Sequence, residues 1–465
     1  VGELQRRAGQ LFEALATHRR SHALRQGLYG DRQIEVSVSA TNLGLTTLEL
    51  GRHGEALELF TLGLSICEQR LPPGDLGIAN ALNNLAEYHR QTGAAERALP
   101  LYERSLSIVE ARLGAENPIA ALLHGNISAV NLGLYQLDRA LAAASRSVAI
   151  REKLNPTPHP DLAEGWSMLA EVYRELGDRP RTRQLLDRAL AMYEQTLGAD
   201  HPSVARALNN LAGFIADQAQ GAEAIPLYER SLAVVSGHLG AEHPSVAPPL
   251  DSLGATLQSL DRHEEAVLAH RRSLSIREQA FGRTHPEVAV SRLNLAIASI
   301  GLGKLADARI ELHRSLSIIL VHPGRQDLLW RVQDTISRLH AAQGQSDLAI
   351  PWGKEAVNTL QRLRSTLQTL DPRHQASFVE ERQAAYRHLA DLLIGQGRFA
   401  EAREVLQMLK EHQLHAALER SGASDPRSTS AELTGLEASR FARYHELRDQ
   451  LAVMARQRQE LEQRE

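Results

Sequence analysis

The sequence predicts an all-α fold, a solenoid built from antiparallel helix pairs. The first observation is a period. The dipeptides Asn117-Pro118, His159-Pro160, His201-Pro202, His243-Pro244 and His285-Pro286 each lie 42 residues after the last. An alanine keeps the same period at Ala14, Ala56, Ala98, Ala140, Ala224, Ala266 and Ala308, with Thr182 in the missing slot. Asn42, Asn84, Asn126, Asn210 and Asn294 form a third column, and Gly9, Gly51, Gly93, Gly177 and Gly303 a fourth. Several columns in one register are the mark of a repeat architecture. The second observation is composition: aromatics make up only 4% while Ala and Leu dominate, as helices packed through small residues require.

Each element follows from the phrase that repeats. The stretch "VGELQRRAGQLFEAL" aligns with "LAEYHRQTGAAERAL", which places Val1 in the middle of a first helix, A. The chain is therefore expected to be a fragment. In the unit from residue 81, Leu82, Leu85, Ala86 and His89 follow the spacing of an amphipathic helix. Gly93 closes that helix and permits a tight turn. The second helix, B, carries Ala98, Leu101, Tyr102, Ser105 and Ile108 on one face, with Leu106 beside it. Ala98 and Ser105 are small enough to let the two helices approach closely. Leu113-Gly114 ends helix B, and Pro118 opens the next helix A at a position where a missing N–H costs nothing. Tyr135, Ala219 and Asp261 replace the turn glycine, which predicts less regular turns there.

Regular repeats are expected over residues 1–321, the first one truncated. After His322-Pro323 the period breaks. Gly344 to Ala349 and Gly397 to Ala402 keep the turn-to-alanine offset of five, but the two alanines are 53 residues apart. Residues 322–420 thus read as irregular, longer helix pairs, with a reset at Asp371-Pro372. Residues 421–434 are small and polar, the composition of a mobile linker. Residues 435–465 read as an amphipathic helix, with Tyr444, Leu447, Leu451, Met454 and Leu461 in 3-4 alternation. That stripe wants a partner, and the helix is expected to lead into a further domain.

The repeating phrase resembles the tetratricopeptide repeat in the 42-residue form of kinesin light chains. The residues that carry the likeness are "ALNNLAEYHRQTGAAERALPLYERSLSIVEARLG" and "ALNNLAGFIADQAQGAEAIPLYERSLAVVSGHLG". It implies a right-handed superhelical solenoid. A second stretch, "FVEERQAAYRHLADLLIGQGRFAEAREVLQMLKEHQLHAAL" from residue 378, resembles the segment that joins such arrays to CHAT domains, the caspase-like peptidases of bacteria. Phe378, Tyr386, Leu389, Leu392, Leu393, Gly397 and Lys410 carry it. This resemblance implies the regulatory or sensor arm of a CHAT-type cysteine protease, with the protease following Glu465 in cis. A stand-alone adaptor of kinesin-light-chain type, or the sensor arm of a nucleotide-switch ATPase, are the alternatives.

Other chemistry is sparse. A net charge of −4 argues against a nucleic-acid partner, which wants a basic domain or stripe. No apolar run approaches a membrane span, no signal peptide is visible, and the single cysteine suits a reducing compartment, so a soluble, cytoplasmic chain is expected. Cys67 lies inside a helix B, without the strand-end setting and paired His of a cysteine nucleophile. The turn histidines sit one per repeat, roughly 10 Å apart, too far for shared metal ligation at about 2 Å. His412 and His415 lack further ligands. No catalytic residue, metal site or cofactor is expected.

Two ladders remain as candidate sites for a protein or peptide partner. Asn42, Asn83, Asn84, Asn126, Asn209, Asn210 and Asn294 fall off the packing face of helix A, where they would line or border a groove. An Asn amide both donates to and accepts from a peptide backbone, so a row of them can hold an extended chain. The resemblance to kinesin light chains implies the same use; the plain alternative is that these amides bond neighbouring helices. Arg104, Arg146, Arg188, Arg230, Arg272 and Arg314 form the other ladder, on helix B, either a rail for an anionic partner or a solvated face of inter-repeat ion pairs.

The register makes a direct prediction. Ala98→Pro should cost about 3 kcal/mol or more by breaking helix B in its first turns. An unchanged thermal melt would show that helix B is misplaced.

Overall fold

The computed structural model describes residues 1–134, 136–156, 158–322, 325–365, 372–418, 430–439, 442 and 453. Among them the chain is all-helical, a succession of ten helix pairs. The pairs are α1 (Gly2–Arg7) with α2 (Leu11–Tyr29), α3 (Ile34–Glu49) with α4 (His53–Arg70), and α5 (Leu76–Gln91) with α6 (Ala95–Leu113). Next come α7 (Pro118–Gly133) with α8 (Leu137–Leu154), α9 (Pro160–Glu175) with α10 (Arg179–Leu197), and α11 (Pro202–Ala216) with α12 (Gly221–Leu239). They continue with α13 (Ala247–Ser259) and α14 (His263–Phe281), then α15 (Pro286–Gly301) with α16 (Leu305–Leu320). The last two pairs are α17 (Gln326–Ala342) with α18 (Ser346–Ser365) and α19 (Pro372–Gly395) with α20 (Phe399–Leu418).

The chain forms two compact units, residues 1–260 with 272–285, and residues 261–271 with 286–465. In the first unit the stack turns far enough to bring early and late pairs together. Phe281 packs on the cluster of Leu11 and Leu15, and His243 Nε2 lies 3.4 Å from the Arg7 carbonyl.

The periodic columns have three distinct jobs. Ala14, Ala56, Ala98, Ala140, Ala224, Ala266 and Ala308 are all 0% exposed, because each sits where two helices cross too closely for a longer side chain. The turn glycines have positive φ, from 71° at Gly51 to 79° at Gly93, a backbone region that β-carbons disfavour. Ala219 and Asp261 adopt the same conformation, with φ of 60° and 59°. The turns at these two residues are thus regular, and the expected irregularity is replaced by left-handed strain at two non-glycine residues. Tyr135 lies outside the described residues. The residues before the prolines are N-caps: Asn117 Oδ1 accepts from the Ala120 N–H at 2.9 Å, and His159, His201 and His243 accept through Nδ1 from the amide two residues on, at 3.1 to 3.2 Å.

A fourth feature is a seam of buried hydroxyls within the pairs. Ser105 Oγ donates to the Ala79 carbonyl at 2.8 Å, Ser147 to Ala121 at 2.7 Å, Ser231 to Ala205 at 2.6 Å and Ser315 to Ala289 at 2.8 Å. In α3 and α4 the same register is reversed, with Ser37 Oγ donating to the Gly63 carbonyl at 3.0 Å. The fifth pair has Ala163 and Ala189 there instead, both 0% exposed. A small side chain lets the backbones approach, and its hydroxyl is satisfied by the second lone pair of a helical carbonyl.

In the second unit, Gly344 and Gly397 keep positive φ, and Ala349 and Ala402 are buried. The stretch expected to be linker ends in contact with the array: Ala431 is buried, and Lys354 Nζ, 1% exposed, reaches the Glu432 carbonyl at 2.5 Å. Thr434 and Glu437 then form a capping box, the Thr434 N–H donating to Glu437 Oε2 at 2.7 Å. Tyr444, Leu447, Leu451, Met454 and Leu461 lie outside the described residues. No described helix is long and apolar enough to cross a membrane.

The seam sets an expectation for α11 and α12. Ser231→Ala should cost about 1 kcal/mol, the net worth of one hydrogen bond. Ser231→Val should cost about 1–3 kcal/mol, since it crowds the Ala205 carbonyl without satisfying it. Chemical denaturation measures both, and a stabilising valine would refute the close approach.

Candidate peptide-binding cleft

The Asn ladder divides once its contacts are seen. Asn42 is exposed, while Asn83, Asn84, Asn126, Asn209, Asn210 and Asn294 are half-buried. Asn84 Nδ2 donates to Asn80 Oδ1 at 3.4 Å within its own helix. Asn126 Nδ2 donates to Asn83 Oδ1 at 3.1 Å, joining α7 to α5 across the repeat boundary. This pair places residues i and i+43 in contact on successive A helices. The same register brings Gly125 against Met168, whose methyl would clash with a β-carbon there.

Asn209 is the counterpart of Asn83 in α11, and its i+43 residue is Ser252 in α13. A serine hydroxyl is shorter than an asparagine amide and does not reach Asn209 Oδ1. Asn209 Oδ1 is consequently buried and has no hydrogen-bond partner. It lines a cleft of about 420 Å³ between α11, α12 and α13. Pro248 and Pro249 wall that cleft, and neither has an N–H to offer. The helix there begins late: Pro244–Val246 form a 3₁₀ turn before α13.

Around Asn209 the lining is mixed. Val235 and Leu239 of α12 supply apolar floor, and Ser203 and Ser245 stand at the rim. Arg206 is exposed, with one guanidinium N–H directed at the Tyr193 hydroxyl at 3.3 Å. Burial raises the pKa of Tyr193, so the phenol stays protonated and Arg206 keeps its charge free for another group. The cleft therefore offers one starved acceptor, one exposed cation and apolar walls. That set suits a strand of main chain: an amide N–H for Asn209 and a carbonyl or carboxylate for Arg206.

The arginines of the second ladder are exposed, and most of them have partners on the array. Arg104 pairs with Glu68 and Arg230 with Glu194, both at 2.6 Å and both bridging neighbouring B helices. Arg314 pairs with Glu311 at 3.2 Å, Arg188 covers the Trp166 ring at 4.0 Å, and Arg272 donates to the Ala241 carbonyl at 3.3 Å. Exposed pairs of this kind contribute about 0 to 1 kcal/mol each. Arg146 is exposed on the same face. Cys67 is buried, its Sγ 3.2 Å from Ser37 Oγ in the helix seam. The side chains of His412 and His415 lie outside the described residues.

A family model described as tetratricopeptide repeat matches residues 1–69, 77–153, 161–213 and 203–279, more than half of the sequence. The chain belongs to the tetratricopeptide repeat family. Among solved structures, the tetratricopeptide-like repeats of a kinesin light chain from Podosopora anserina are 24% identical, covering 44% of this chain and 97% of that one, with a TM-score of 0.36. A Rap protein complexed with competence and sporulation factor is 14% identical, covering 83% and 100%, with a TM-score of 0.52. The apo quorum sensor NprR from B. thuringiensis is 14% identical, covering 80% and 97%, with a TM-score of 0.50. No curated protein matches the chain in sequence. As a tetratricopeptide repeat array the chain is a protein-interaction scaffold.

The orphaned acceptor has a simple check. Ser252→Asn places an amide donor at the register of Asn126, satisfies Asn209 and should stabilise the array by about 1 kcal/mol. A lower denaturation midpoint would show that the i+43 contact does not extend to this repeat.

Proposed function

We propose that this chain grips an extended segment of a protein partner in the α11–α13 cleft, as the regulatory arm of a CHAT-type caspase-like protease. The observation that carries the binding reading is Asn209 Oδ1, buried and unpartnered, on a residue that lines an open cleft. A buried acceptor without a donor costs about 1–3 kcal/mol, and a partner's main-chain N–H recovers it. Selection for such a cost is understandable where a ligand relieves it. The Rap structure of like fold holds the competence and sporulation factor, which supports the use of this fold to bind a factor.

The protease half of the reading rests on the resemblance over residues 378–418. Within it, Tyr386, Leu389 and Leu393 are buried between the last helices, and Gly397 makes the turn between α19 and α20. The side chains of Phe378 and Lys410 lie outside the described residues. A joining pair of this kind would carry partner binding from the array to a catalytic domain in cis.

The test is an array of synthetic 12-residue peptides probed with the whole chain. Peptides it selects should lose about tenfold in affinity to Asn209→Leu and to Arg206→Glu, equivalent to about 1.4 kcal/mol. In the protein encoded by the uninterrupted reading frame, the same variants should uncouple the selected peptides from proteolysis. Binding indifferent to both variants refutes the cleft; binding that never alters proteolysis refutes the protease arm alone.

A further inference from the structure

The described end of the second unit shows a non-helical segment held by two helices. Residues 431–434 lie against α18 and α20. Asn358 grips the main chain of Ala431 with both ends of its amide: Oδ1 accepts the Ala431 N–H at 2.7 Å, and Nδ2 donates to the Ala431 carbonyl at 3.2 Å. Nothing in that exchange reads a side chain. One helical turn earlier, Lys354 donates to the Glu432 carbonyl and ion-pairs with Glu437 at 3.0 Å and Glu401 at 2.7 Å. Arg398 closes the group with ion pairs to Glu437 at 2.5 Å and Glu401 at 2.7 Å.

The hold is almost wholly polar. Ala431 and Glu437 are buried, but Leu436 is 65% exposed and Leu433 only half-buried. An open cleft of about 400 Å³ remains beside the segment, lined by Glu404, Val405 and Met408 of α20 together with Leu433 and Thr434. The segment thus underfills its site. Burial works against the charge of Glu437, yet hydrogen bonds from Arg398, the Thr434 N–H and Lys354 bring its pKa down to about 2. Without the segment, Lys354 would keep one carboxylate, Glu401, beside the open cleft that it lines. An acidic peptide that brings a carboxylate to Lys354 restores the lost pair, so exchange costs less than vacancy.

We propose that the α18–α20 face is a binding site for an extended acidic peptide, and that residues 431–437 occupy it in cis as an exchangeable occupant. The ligand class follows from the grip: a main chain free to pair at Asn358, a carbonyl and a carboxylate for Lys354, and a larger apolar side chain where Leu433 leaves room. Exchange frees residues 431–437 from α18 and α20. The site is independent of the Asn209 cleft, because no residue is shared.

The experiment uses the whole chain and a fluorescein-labelled synthetic peptide of residues 429–439, followed by anisotropy. Wild type, with its site filled, should bind weakly. Glu437→Ala, which loosens the occupant and leaves the helices intact, should bind about tenfold tighter. Adding Asn358→Ala to that variant, or replacing the peptide's own Glu437 with Gln, should abolish the gain, with circular dichroism confirming unchanged helix content. The proposal is overturned if Glu437→Ala binds no better than wild type, or if the gain survives Asn358→Ala.

Discussion

The array depends on how closely helix A can approach helix B. That distance is set by a small side chain on each face, and where the small residue is serine, by a hydroxyl given to a helical carbonyl. The bond solves two problems at once. It admits no bulk at the crossing, and it leaves no buried hydroxyl unpaired. Alanine at Ala163 and Ala189 meets both with no hydroxyl at all, and at Ser37 the bond runs to the Gly63 carbonyl with donor and acceptor helices exchanged. Because every pair keeps the same approach, the A helices of successive repeats meet in a constant register, and i to i+43 contacts become possible at all.

Function is best sought where that regularity lapses. Asn83 and Asn126 close one repeat boundary with an amide–amide bond, so their polar groups are consumed by structure. At Asn209 the i+43 residue is a serine too short to reach it, and the next helix begins with a 3₁₀ turn and two prolines. These local departures converge on one cleft, and neither the serine nor the prolines supply Asn209 with a donor. A periodic scaffold makes such a place conspicuous, since the neighbouring repeats show what a satisfied version looks like.

The second unit uses charge where the first uses neutral amides. Lys354, Arg398, Glu401 and Glu437 form a balanced group of two cations and two carboxylates around a segment that buries little apolar surface. Such a group is costly to break by removing one member and cheap to rebuild with an equivalent one. Asn358 adds to it the two-way amide grip that the sequence suggests for the Asn column, at a residue outside that column.

By itself the sequence determined the helix pairs, their period and their turns, because those follow from local rules: proline at a helix start, glycine at positive φ, alanine at the crossing. It also placed the Asn and Arg columns on the correct helices. It could not separate Asn209 from Asn83, because the difference lies 43 residues away in Ser252 and matters only once helices are side by side. It read Ala219 and Asp261 as breaks, whereas the packing of both helices holds them in the glycine conformation. The segment at Ala431 was hidden for the same reason. Small, polar composition describes what a segment can do alone, and only the tertiary structure, by bringing Asn358 and Lys354 to it, decided what it does here.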